Sequence, residues 1–167
     1  MKSFGYLGIL FLICVLGQVL ILNQLYFLGV GNPYLYILFL FAMPLTMSRF
    51  ARFTMAFLLG FAIDLFSGTP GLHSFSCVFA QFVAMESIFL FVPKDDKFKR
   101  DSLPLSIKSM GVSSFMKLAT LVVLCHHGSL FLLEAFSVQH LGLLIVRILV
   151  SATLTLFLLY VVEKNKK

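Results

Sequence analysis

The sequence has no tryptophan, three cysteines and few charged residues. Charged side chains make up 12% of its 167 residues and hydrophobic ones 60%, whereas a soluble domain carries about 25% charged residues. Too few polar residues remain to cover a water-facing surface, so an ordinary soluble protein is excluded and lipid is the expected solvent. Cys14, Cys77 and Cys125 lie inside apolar runs without CxxC spacing. Neither a disulfide framework nor a cysteine metal site is therefore expected.

The net charge of +6 does not indicate a nucleic-acid partner. Nucleic-acid-binding proteins cluster their basic residues on a water-exposed face. Here the basic residues lie in short segments between apolar runs, where the membrane accounts for them better. No nucleic acid is therefore expected among the partners.

The first apolar run, from Phe4 to Leu22, follows Lys2 as the core of a signal peptide would. That core is only about 7–15 residues long and precedes a small-residue cleavage site. The present run is longer, and residues 23–27 (NQLYF) offer no such site. We expect an uncleaved first membrane span.

Six apolar runs predict an all-α bundle of six transmembrane helices in a single integral membrane domain, residues 1–167. A span needs about 20 residues, or about 17 at minimum. The second and third runs are shorter, and Pro44 favours a kink or an early end of the second. The alternative is that this pair forms a re-entrant hairpin, which leaves four full spans. The six predicted spans are 6–26, 34–47, 53–66, 72–92, 111–133 and 141–162.

The loop charges predict the orientation. If the N-terminus is cytoplasmic, 11 of the 13 basic residues lie on the inside, and only Lys117 and Arg147 lie within spans. The outer loops, 27–33, 67–71 and 134–140, contain no Lys or Arg. This asymmetry follows the positive-inside rule and predicts that both termini are cytoplasmic. The role of the basic loop Pro93–Lys108 stays open.

Charged residues within or at the ends of spans are expected to form ion pairs, because each costs about 2.5–3.5 kcal/mol at the membrane centre. Glu86 and Lys117 lie at similar depths on consecutive antiparallel spans, so we expect them to pair. Near the outer face, Arg147 has two candidate partners, Asp64 and Glu134. A structural role is favoured over a proton relay, since no acid lies at mid-membrane.

The most specific local pattern lies in the third span. Small residues and one acid recur every four positions, which places them along one face of a helix. Such a face lets another backbone approach closely and predicts contact with protein, either inside the bundle or on a partner. An outer hairpin with two glycines follows, and it ends at Gly71 and His73. The stripe consists of Arg52, Ala56, Gly60, Asp64 and Gly68.

Metal binding and catalysis have little support. His126 and His127 are adjacent, so on a helix their side chains point about 100° apart and do not readily chelate one ion. The sequence contains neither the GxSxG context of a catalytic serine nor a phosphate-binding GxxxxGK[ST] motif. We therefore expect a protein without a cofactor, a metal or an enzymatic activity.

Residues 60–73, GFAIDLFSGTPGLH, resemble the hallmark stretch of the rod shape-determining protein MreD family, in which a glycine is followed four residues later by an aspartate and then a small-residue turn. Asn32-Pro33 also resembles the start of the second helix in that family. Length, span number and the basic C-terminus agree along essentially the whole chain. Lys117 and Arg147 match no family role.

The resemblance implies a non-enzymatic scaffold of the bacterial cell-elongation machinery in the cytoplasmic (inner) membrane. Such proteins bind MreC and, in the same complex, work with MreB, the glycosyltransferase RodA and its partner transpeptidase to support side-wall peptidoglycan synthesis. Asp64 would then fix the outer hairpin or hydrogen-bond a partner helix. The family is similar in helical arrangement to substrate-binding components of energy-coupling vitamin transporters. The alternative function is therefore a small-molecule transporter component, with an outward pocket lined by Asp64, His73, His140 and Arg147.

Overall fold

The computed structural model describes residues 4–25, 29–91, 104–135 and 141–166. Within these ranges the protein is helical, with no strand beyond an isolated bridge between Pro44 and Pro104. The predicted all-α class is confirmed. Most of the basic loop Pro93–Lys108, and His140, lie outside the described residues. The helices are α1 (Phe4–Leu20), α2 (Ile37–Ala42), α3 (Arg49–Ser67), α4 (Leu72–Phe91), α5 (Ile107–Met110), α6 (Val112–Ala135) and α7 (Leu141–Asn165), with a 3-10 turn at Leu22–Gln24 after α1.

Five of these helices are long and apolar enough to cross a membrane, by length and composition. They are α1 with its 3-10 turn, α3, α4, α6 and α7. α3 contains 19 residues, so the third predicted span is a full-length helix and the hairpin of two short segments is wrong. Its extra length comes from the first turn, where the Ser48 hydroxyl accepts a hydrogen bond from the backbone N–H of Ala51 at 3.2 Å. Sequence hydropathy missed this turn because it contains two arginines.

Contacts between helix ends define two ends of the bundle. One end, called the hairpin end here, contains the turn between α3 and α4. There Asn23, just after α1, donates to Ser67 at the end of α3 (3.1 Å), so α1 and α3 run in the same direction. The opposite end is called the basic end. There Arg49 at the start of α3 pairs with Glu86 near the end of α4 (3.1 Å). The backbone N–H of Ile107, just before α6, donates to Glu163 near the end of α7 (3.4 Å), which places these termini at one level.

The second predicted span is not a continuous helix. Only α2, six residues long, is helical there, and at 1.5 Å per residue it extends about 9 Å, far less than a hydrocarbon core of about 30 Å. Its end has a local cause. Met43 precedes Pro44 and adopts an extended conformation (φ −66°, ψ 129°), as the residue before a proline tends to do. The chain from α1 to α3 nevertheless leads from the hairpin end back to the basic end.

This second predicted span, residues 34–47, is called the broken segment, and it lies in the centre of the protein. Every residue of α2 is buried. Non-helical backbone at membrane depth is tolerated only where protein covers it and satisfies its polar groups. Side chains of α1 and α7 do so here. Gln18 accepts from the backbone N–H of Leu35 (3.0 Å) and donates to the carbonyl of Pro33 (3.0 Å), while Thr155 accepts from the N–H of Tyr34 (2.9 Å).

Candidate functional site: the Asp64 hairpin and the adjoining polar cavity

The carboxylate of Asp64 is the centre of the α3–α4 hairpin. It is 4% exposed and accepts five hydrogen bonds from three residues. Oδ1 accepts from the backbone N–H of His73 (2.9 Å), from its ring Nδ1 (2.9 Å) and from the hydroxyl of Thr69 (3.0 Å). Oδ2 accepts from the N–H and the hydroxyl of Ser74, at 2.9 and 2.6 Å. Both carboxylate oxygens are therefore engaged within the hairpin.

These bonds explain how a buried acid is tolerated without a lysine or arginine partner. His73 and Ser74 are the second and third residues of α4, where backbone N–H groups have no partner within the helix. Asp64 therefore caps α4 from the neighbouring helix, and its negative charge lies at the positive end of the α4 dipole. Both oxygens of this carboxylate thus hold the start of α4 against the end of α3.

Gly60 and Ala56 place the predicted stripe inside the protein. A Cβ atom on Gly60 would lie 2.4 Å from the carbonyl oxygen of His73 and 2.5 Å from the Cα of Ser74. The backbones of α3 and α4 touch there, and one turn earlier Ala56 is fully buried. Ala56, Gly60 and Asp64 of the stripe thus pack within the chain, whereas Gly68 is exposed.

The two hairpin glycines are required by conformation. Gly68 ends α3 at φ +66° and Gly71 precedes α4 at φ +87°, in a region that side chains with a Cβ rarely adopt. The backbone N–H of Gly68 donates to the carbonyl of Asp64, which closes the last turn of α3. Both glycines are exposed, so the hairpin is open to its surroundings.

The ion pairs of Glu86 and Arg147 can be compared with those expected from the sequence. Glu86 pairs with Arg49 at 3.1 Å, and Lys117 is exposed with no ion pair in the described part of the chain, so the expected Glu86–Lys117 pair is wrong. Glu86 pairs with Arg49 because the α3–α4 hairpin brings the start of α3 beside the end of α4. Arg147 bonds both carboxylate oxygens of Glu134, at 3.1 and 3.3 Å, and not Asp64.

Four buried polar side chains were not singled out from the sequence as parts of a site. Gln18, Ser151 and Thr155 bind the broken segment, and Glu163 is 2% exposed, beside Lys166 and the start of α5. Gln18, Ser151 and Thr155 are polar residues within apolar runs, and Ser151 and Thr155 share a helix face through their four-residue spacing. That was the available signal.

A cluster of aromatic and imidazole rings surrounds the broken segment. Tyr36 Oη and His126 Nε2 are 3.0 Å apart, and His127 bonds the hydroxyl of Thr155 through Nε2 (3.2 Å) and the carbonyl of Val123 through Nδ1 (2.8 Å). The two adjacent histidines thus bond separate groups. Their observed role is to hold α6 against the broken segment and α7.

A polar cavity of about 210 Å³ opens between the hairpin and the ends of α6 and α7. His73 lies on one side of it, and the Arg147–Glu134 pair on the other. Asp64 lies behind His73 and is not a lining residue, which differs from the pocket expected for a transporter component. The cavity is lined by Asn23, Asn32, Tyr34, Ser67, Thr69, Leu72, His73, Leu130, Glu134 and Arg147.

No family model, curated protein or solved structure matches the chain.

Proposed function

We propose that this protein is a non-enzymatic scaffold of the bacterial cell-elongation machinery, resident in the cytoplasmic membrane and bound directly to MreC. The observation that carries the proposal is the α3–α4 hairpin. The residues through which the sequence resembles the MreD family, Gly60, Asp64 and Gly68, are the ones that fix its backbone. A motif used to shape a protein surface, with its acid engaged internally, suits a binding protein better than an enzyme.

The proposed topology has six crossings and both termini in the cytoplasm. Five crossings are the long helices, and the sixth is the broken segment around α2. The basic end, with Arg49, Lys108, Lys164 and Lys166, faces the cytoplasm, as the positive-inside rule favours. Alkaline phosphatase fused after Ser67 should be active, and green fluorescent protein fused at the C-terminus should fluoresce. The reverse pattern would contradict this orientation.

The scaffold is tested by co-purification with MreC from the inner membrane. Asp64→Ala removes the cap of α4 while preserving the apolar faces that drive insertion. We expect this variant to insert normally and to lose MreC, together with MreB, RodA and its partner transpeptidase. Glu86→Ala, which removes an exposed acid at the basic end, is the matched control and should retain the complex. A complete complex and normal rod shape with Asp64→Ala would refute the assignment.

The polar cavity favours a second candidate function. A scaffold has no need of a solvent-accessible polar cavity, whereas the substrate-binding component of a small-molecule transporter does. His73 and Arg147, two residues expected in such a pocket, both line the cavity. This function predicts that the chain co-purifies with ATP-hydrolysing transport subunits. Their absence from a complex that contains MreC would exclude it.

A further inference from the structure

We propose that the polar cavity binds a small zwitterionic amino acid with an apolar side chain. This inference deepens the second candidate function and rests on it, since it names the ligand class of the same cavity. It does not depend on the scaffold proposal.

The size of the cavity sets the first limit. Its volume is about 210 Å³. Pockets for drug-sized ligands are larger, about 300–1,000 Å³. The space therefore favours a molecule of amino-acid size over one as large as a nucleotide.

Two uncharged lining residues, Asn23 and Thr69, already use their side-chain hydrogen-bonding groups within the protein. The side-chain amide of Asn23 accepts from Gln18 (2.9 Å) and donates to Ser67 (3.1 Å), and the hydroxyl of Thr69 is bound to Asp64. These groups hold the hairpin and the end of α1 together. A polyhydroxyl ligand would have to break those bonds in order to form its own.

The capacity that remains is charged or basic. Arg147 reaches Glu134 through Nη2 alone, and its other amino group, Nη1, has no hydrogen-bond partner in the described part of the chain. Among the described residues the His73 ring forms its hydrogen bonds through Nδ1, whose proton is directed at Asp64, which leaves Nε2 as an acceptor. The cavity thus offers guanidinium donors, a carboxylate and an imidazole acceptor.

A zwitterion matches this set of groups. Its carboxylate accepts from Arg147, and its ammonium donates to Glu134 and to His73 Nε2. Because Arg147 and Glu134 lie 3.1 Å apart, a lone anion is repelled by Glu134 and a lone cation by Arg147. Leu72 and Leu130 provide an apolar wall for the side chain.

The test uses the full chain in phosphatidylcholine nanodiscs and probes that remove one charge at a time. Alanine and leucine carry both charges, while propionate lacks the ammonium and propylamine lacks the carboxylate. We expect at least one amino acid to bind saturably and to raise Tm, and both singly charged analogues to bind at least about tenfold more weakly. No binding by either amino acid, or equal binding of propionate or propylamine, would overturn the proposal.

Two variants assign the binding to the cavity. Arg147→Gln should weaken amino-acid binding at least about tenfold, and Lys117→Gln, an exposed change at the basic end, should not alter it. If Arg147→Gln does not fold, Glu134→Gln serves in its place, with the same expected loss. Unchanged affinity in the folded cavity variant would refute the site. Loss of binding with an intact MreC complex would leave the scaffold assignment unaffected.

Discussion

Replacing Gly60 by alanine is the sharpest test of the hairpin. An added Cβ would lie 2.4 Å from the carbonyl oxygen of His73 and 2.5 Å from the Cα of Ser74, both backbone atoms. An ordinary contact is about 1 Å longer, so α3 and α4 must separate. Separation also stretches the bonds from Asp64 to the start of α4.

The expected loss of stability is the sum of two costs and one smaller gain. Overpacking costs about 1–3 kcal/mol, and a broken bond to a buried charged group adds about 1.5–3 kcal/mol. Alanine recovers about 1 kcal/mol of helix propensity over glycine. We expect Gly60→Ala to lower the free energy of unfolding by about 1.5–5 kcal/mol, measured by equilibrium unfolding in mixed detergent–SDS micelles.

Gly128→Ala is the matched control. Gly128 lies within α6, and an added Cβ would meet nothing within 4 Å. This variant should be neutral or more stable by up to about 1 kcal/mol. Equal stability of the two variants would refute the close contact of α3 with α4.

Further changes test the buried polar contacts, two by the same unfolding measurement and one by amide hydrogen exchange. Asp64→Asn replaces one acceptor oxygen by a donor group and should cost about 1.5–3 kcal/mol, whereas Glu86→Gln at an exposed pair should cost under about 1 kcal/mol; equal losses would contradict the engaged carboxylate. Gln18→Leu leaves the N–H of Leu35 unpaired, so amide hydrogen exchange at residues 34–36 should accelerate, and unchanged exchange would contradict the support of the broken segment. Tyr36→Phe removes the partner of His126 Nε2 and should cost about 1–3 kcal/mol, a loss not expected for Tyr160→Phe at the basic end.

The sequence was sufficient to predict four of the five long apolar helices, α1, α4, α6 and α7, because their apolar runs are long. It was not sufficient for the second segment, where Pro33 and Pro44 bracket a run as apolar as its neighbours. Such a run is read as a span by hydropathy, yet its backbone is stabilised by single polar residues on distant helices, Gln18 and Thr155. Sequence separation hides those pairings.

The candidate site could also be predicted only in part, because some of its contacts are local and others depend on which helices pack together. The four-residue spacing from Ala56 to Asp64 reflects local helix geometry, so the shared face could be read directly. The partner of Glu86 depends on which helix end the hairpin brings close, and depth along the membrane alone did not distinguish Arg49 from Lys117.

The most direct measurement of the central claim is the thermal unfolding of the purified chain in nanodiscs with and without purified full-length MreC. The scaffold account predicts a Tm that rises with MreC concentration to saturation, and no such rise when the Asp64→Ala chain is used. A Tm that does not respond to MreC would contradict it.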